Sequence, residues 1–147
     1  MTMKQLLFII SLTAIVILFI SNYCYINSTA SLPIGLYLKT NQPIKVGSIV
    51  VFYPDLNGNP FASKYVSPGI PLMKQVAFLS GQRFQLPPAS NIDSKGQTIT
   101  PFSPKTDIVP SGQLIVVGNT KYSLDSRYLG FIPQSSIIDT VSPLFVF

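Results

Sequence analysis

Residues 5–26 carry no charged side chain, and within them residues 6–20 are almost entirely apolar. A helical run of that length crosses a hydrocarbon core of roughly 30 Å, so the pattern predicts one N-terminal membrane-spanning helix. Downstream the apolar runs become short. Residues 48–53, 72–79 and 114–118 are rich in β-branched, aromatic and other apolar side chains, and Gly, Pro, Asn or Ser bounds them, which predicts buried strands joined by tight turns. Between the last two runs, residues 83–112 scatter Pro87, Pro88, Pro101, Pro104 and Pro110 among polar residues, the pattern of an inserted cap with little core of its own. The apolar end from Pro143 to Phe147 is too short to span a bilayer and either closes a sheet or touches lipid.

These patterns divide the chain into residues 1–27, a cytoplasmic tip and transmembrane anchor, and residues 28–147, an extracytoplasmic domain. Lys4 precedes the apolar run whereas Lys39 and Lys45 come well after it, which by the positive-inside preference puts Met1 in the cytoplasm. Tyr23 and Tyr25 suit the aromatic belt at the far face. Ser28, Thr29 and Ala30 resemble a small-x-small cleavage site, but the gap from Ile20 to Ala30 and the apolar run are both long for a signal peptide, so the lengths favour a retained anchor. Tyr23 is too large for the residue preceding a lipidated cysteine, which leaves Cys24 as an apolar residue near the helix end.

Composition agrees with a lipid-facing chain that is otherwise β. Of the 147 residues 47% are hydrophobic and only 10% charged, with mean hydropathy +0.42, and the 13 Pro and 9 Gly favour turns over helices. The net charge of +5 is scattered rather than clustered, which suits an anionic membrane surface and argues against a nucleic-acid groove. With no His and a single Cys, the chain has no Ser-His-Asp triad, Cys-His dyad, Cys/His zinc site or internal disulfide. A hydrolase built from it needs Lys or Asp as its base.

Two positions answer that need. Ser31 lies just beyond the apolar run, in a turn shaped by Pro33 and Gly35. Lys74 sits inside an apolar strand, sharing a face with Leu72, Val76 and Phe78 rather than with Met73, Gln75 and Ala77. A lysine on the solvent face of a half-buried strand is the commoner arrangement, but the larger apolar face favours burial, and burial lowers a lysine pKa until the neutral amine is available. Further on, Asp125 and Arg127 are spaced to pair across a turn, as a structural ion pair that would hold the loop presenting Ser123.

Four stretches, Ser31-Leu32-Pro33-Ile34-Gly35-Leu36-Tyr37, residues 47–52, Leu72-Met73-Lys74-Gln75-Val76 and residues 118–133, together resemble the type I signal peptidase superfamily. Within it they are most similar to the plasmid-transfer peptidases that mature conjugative propilin. The resemblance implies a mainly β fold: a signal-peptidase-like antiparallel catalytic domain with a small inserted cap, behind one transmembrane helix. It implies Ser31 as nucleophile, Lys74 as general base, Ser123 as the serine that orients the lysine, and Asp125 and Arg127 as supporting residues. Thr29, two residues before the serine, becomes the candidate oxyanion hydroxyl. Ser48, Gln75 and Asn119 depart from the family pattern without removing a group the mechanism needs, and the Ile138-Asp139 pair, in place of the usual apolar-Gly pair, bears only on a local turn.

The implied function is a membrane-anchored serine endopeptidase of the bacterial inner membrane, acting on its outer side without metal or cofactor. Its expected partners are the lipid bilayer and a membrane-tethered preprotein or propilin, with no nucleic acid. Water or the substrate's own N-terminal amine resolves the acyl-enzyme. Two other readings remain: an inactive anchored β domain serving a secretion or conjugation apparatus, and a secreted binding protein whose mature chain begins at Ser31.

Overall fold

The computed structural model describes residues 1–147, the side chain of Pro60 excepted. Helix α1 (Met3–Tyr23) is opened by a reciprocal cap, in which Thr2 Oγ1 accepts from the Gln5 amide and Gln5 Oε1 accepts from the Thr2 amide. Its 21 residues rise about 31 Å, and none is buried. It is the one helix among the described residues long and apolar enough to cross a membrane, which is compatible with an anchor or a signal sequence. At Cys24 the backbone turns extended and runs directly into strand β1 (Cys24–Asn27).

Six more strands complete the sheet: β2 (Gly35–Lys39), β3 (Ile49–Phe52), β4 (Leu72–Phe78), β5 (Gln113–Val117), β6 (Ile132–Pro133) and β7 (Ile137–Val146). All neighbours are antiparallel, in the order β1-β2-β7-β3-β4-β5-β6. The fold is mainly β behind one apolar helix, as the patterning and the resemblance imply. The apolar C-terminus closes the sheet, since Phe145 pairs with Leu36 and Val146 with Gly35. A Cβ on Gly35 would lie 2.1 Å from the Phe145 carbonyl oxygen, so the third residue of the Pro33-Ile34-Gly35 turn has to be glycine.

Both faces of the sheet are covered. Val50, Phe52, Val76, Leu114, Val116 and Ile132 form one core cluster, and Leu32, Tyr37, Val51, Met73 and Val141 form a second. The strand carrying Lys74 therefore has no solvent face. Met73, on the smaller apolar face, is buried against Leu32 and Tyr37, and Gln75 alone in β4 is exposed. The Pro-rich insertion also has a core, in which Phe84 and Val109 pack on Ile115 of β5 while Phe84 and Phe102 meet Phe131 edge-on. Its apolar residues are too widely spaced to show a period, and they find their partners in a distant strand.

Two short helices interrupt the strands. Helix α2 (Pro60–Tyr65) is capped by the Asn59 side chain, and α3 (Ser126–Leu129) by Asp125. Tyr25 belongs to β1, where its hydroxyl donates to Asp139 and Lys39 lies 5.0 Å from its ring. Asp139 sits in strand β7.

Candidate active site

The site forms where the turn after β1 meets β4 and the loop after β5. Leu32 anchors that turn in the second core, the Tyr37 hydroxyl donates to the Pro33 carbonyl at 2.6 Å, and the Asn119 amide donates to the Ser31 carbonyl at 2.7 Å. Gly118 makes the last contact possible. A Cβ there would lie 2.1 Å from Ser123 Oγ and 2.9 Å from the Ser31 carbonyl oxygen.

Ser31 and Lys74 come together across 43 residues of chain: Lys74 Nζ donates to Ser31 Oγ at 2.9 Å, and the two residues are 8% and 4% exposed. Burial lowers the Lys74 pKa from 10.5 to about 8, with Asp125 opposing that shift and Arg127 adding to it. An ammonium that loses its proton near pH 8 is a base available close to neutral pH.

Thr29 Oγ1 lies 3.0 Å from Ser31 Oγ. Ser123 is buried in the same wall, yet its Oγ has no hydrogen-bond partner among the described residues, so the structure brings Lys74 to Ser31 and not to Ser123. Asp125 and Arg127 pair at 2.6 Å, and the pair does more than close a turn. The Asp125 carboxylate accepts from the Gly118 amide, the Arg127 amide and the Arg127 guanidinium, while that guanidinium also donates to the carbonyls of Thr120 and Gly118. The hydrogen bond to Asp125 holds the Arg127 pKa above its usual range. Charge and strand end are thereby locked to each other.

A cleft of about 530 Å³ opens on Ser31 and Lys74, walled by Phe61 and Tyr65 of α2, Tyr128 of α3 and Asp93 and Ile99 of the insertion. A second groove of about 460 Å³ shares Thr29, Tyr65 and Lys74 with it and continues along β1 and the segment entering β4. Together they make a channel that passes Lys74, each part with the volume of a ligand-binding cleft. The wall from α2 was not foreseen from the sequence. The Asn59-Pro60 pair, a capping residue followed by proline at the first helical position, was the signal for α2. Asn27, at the end of β1 with both amide atoms engaged in the Ser31 turn, was also missed.

Comparison with known proteins supplies the context. The family described as signal peptidase, peptidase S26, matches residues 87–146, which include Ser123, Asp125 and Arg127. The conjugal transfer protein TraF of Agrobacterium fabrum is 31% identical over 146 residues, covering 83% of this chain and 82% of that protein. Its counterpart in Agrobacterium tumefaciens strain 15955 is 30% identical over the same shares of the two chains. The plasmid transfer protein TraF of Escherichia coli is 24% identical, with 81% of each chain covered.

Proposed function

The chain belongs to the S26 family of signal peptidases, whose members are serine peptidases, and on that premise we propose that it matures a conjugative propilin with a Ser31/Lys74 dyad. The observation that carries this reading is the 2.9 Å hydrogen bond from a buried, unpaired lysine to a serine at the mouth of a cleft. A signal-peptidase-like role in conjugation agrees with the transfer proteins it is similar to.

In the proposed mechanism neutral Lys74 takes the Ser31 proton as Oγ attacks the scissile carbonyl. The Ser31 amide and the Thr29 hydroxyl, which turns toward the substrate, donate to the oxyanion. The tetrahedral intermediate collapses to an ester on Ser31, and Lys74 passes its proton to the leaving amine. Water then gives a free carboxylate, or the substrate's own N-terminal amine gives a cyclic peptide, and Ser31 regains its proton in either case. Asp125 and Arg127 act at one remove, by holding the Gly118 end of β5 against the Ser31 turn.

With α1 as a retained anchor in the bacterial inner membrane, the channel faces the periplasm close to the lipid surface. A membrane-tethered substrate then reaches it without crossing bulk solvent.

The test is processing of a co-expressed candidate propilin by wild type, Ser31→Ala and Lys74→Ala, read by intact mass. Processing by wild type alone is expected, and a product lighter by one further water identifies cyclisation. Equal processing by all three proteins overturns the dyad and leaves an assembly component.

A further inference from the structure

Asn27 is buried, 7% exposed, at the last position of β1, and no step above uses it. Its side-chain amide is nevertheless the hub of the Ser31 turn. Nδ2 donates to the carbonyls of Thr29 at 2.9 Å and of Leu32 and Pro33 at 3.0 Å each. Oδ1 accepts from the Thr29 amide at 3.3 Å and from the Thr29 hydroxyl at 3.1 Å. The amide can face only one way, because the three carbonyls on one side accept and cannot donate. One side chain thus fixes the backbone on both sides of Ser31.

The direction of the hydroxyl chain follows from the same chemistry. Asn27 Oδ1 has no proton, so the Thr29 hydroxyl spends its single proton on it. In that arrangement Thr29 Oγ1 faces Ser31 Oγ, 3.0 Å away, only as an acceptor. Ser31 then points its proton at Thr29 and accepts from Lys74 Nζ. In the resting site Ser31 Oγ is held between Lys74 on one side and a threonine oriented by Asn27 on the other.

We propose that Asn27 is the positioning residue of the nucleophile, setting the Ser31 turn through Nδ2 and the Thr29 hydroxyl through Oδ1. The inference rests on Ser31 being the nucleophile. It makes the amide, and not merely a side chain of that size, the requirement. Asn27→Asp keeps the shape but turns a carboxylate oxygen toward three carbonyls, so it should open the turn as Asn27→Ala does. Thr29→Val removes the hydroxyl and leaves the Nδ2 bonds in place.

The experiment compares wild type, these three variants and Ser31→Ala as full-length proteins in detergent. Amide hydrogen exchange is followed in residues 28–35 and in the central strands, and peptidase kinetics on a leader-peptide substrate are measured alongside. Exchange in residues 28–35 should quicken about tenfold or more in both Asn27 variants, with β3 to β5 unchanged, while Thr29→Val keeps wild-type protection. Both Asn27 variants should lose about 100-fold in kcat with KM nearly constant, the signature of a displaced nucleophile rather than a damaged binding groove.

Wild-type exchange or wild-type kcat in Asn27→Asp overturns the proposal, because the residue would then act by shape alone. Loss of protection throughout the sheet also overturns it, by making Asn27 a core residue. If wild type is as inactive as Ser31→Ala, the peptidase reading fails, and exchange in residues 28–35 still decides whether Asn27 holds the turn.

Discussion

Lys74 and Arg127 are two buried cations, each 4% exposed and close enough for Arg127 to act on the Lys74 pKa, and their surroundings treat them in opposite ways. Arg127 meets a carboxylate through two nitrogens and spends further donors on carbonyls, and its pKa is held high. The hydrogen bond found for Lys74 Nζ among the described residues goes to a neutral hydroxyl, and its pKa falls to about 8. Burial is common to both, so the partner decides whether a buried charge is structural or chemical. A paired guanidinium cannot give up its proton, whereas an unpaired ammonium gains by doing so.

The largest effect expected from breaking this contrast comes from Lys74→Met. Removing a general base typically lowers the rate by about 10²–10⁴-fold, so cleavage of a leader-peptide substrate should fall below detection in a direct assay. Stability should move the other way. A lysine whose pKa falls from 10.5 unfolded to about 8 folded binds fewer protons in the folded state between those values, so its burial penalty is complete below pH 8 and relieved as pH rises toward 10.5. Below pH 8 that penalty is about 3 kcal/mol, so Lys74→Met should resist denaturant better than wild type there, and the gain should shrink as pH rises to 10.5. A destabilised Lys74→Met at pH 7 would show that the lysine has a partner after all.

Asp125→Asn attacks the other cation. It leaves Arg127 buried with its carboxylate replaced by a neutral amide, and breaking a buried pair from one side costs about 3–5 kcal/mol, readable as a lower denaturation midpoint. The same substitution removes the charge that opposes the lowering of the Lys74 pKa. In whatever fraction stays folded, the pH at which activity appears should therefore drop, and a rise instead would contradict the electrostatic link between the two cations.

A gentler probe is the pH profile of the unaltered protein. kcat/KM should increase about tenfold per pH unit up to a midpoint near 8 and level off above it, because the free enzyme needs Lys74 neutral. A midpoint near 10.5 would mean that the lysine is solvated in the working enzyme.

The sequence carried the parts of this contrast that are local. The charge-free run marked α1, the short β-branched runs marked β3, β4 and β5 to within a residue or two, and alternation put Lys74 on the larger apolar face. What stayed hidden depends on distant partners. Tyr25 reads as an interfacial aromatic, and nothing local shows that its hydroxyl meets Asp139, 114 residues away. Arg127 reads as one half of an ion pair, and its bonds to the carbonyls of Gly118 and Thr120 exist only because β5 ends beside it. Asn27 falls at the end of the segment read as anchor, whereas its work depends on which carbonyls the following turn presents. Periodicity reports which residues face a core, and says nothing of which polar groups meet there.

The smallest expected effect concerns Ser123, which shares the wall but belongs to neither cation. Its Oγ is buried without a partner among the described residues, and it touches the position a Cβ on Gly118 would fill. Ser123→Ala removes a desolvated hydroxyl that gains nothing in return, so stability should hold or rise by up to about 1 kcal/mol. Gly118→Ala in the same place should be clearly destabilising, because its methyl would press on Ser123 and on the Ser31 carbonyl at once. Combining the two substitutions sharpens the comparison. With the serine oxygen gone the Cβ of residue 123 still lies 2.8 Å and the Ser31 carbonyl 2.9 Å from the new methyl, so the rescue should be partial, and full recovery would mean that both neighbours can give way without loss.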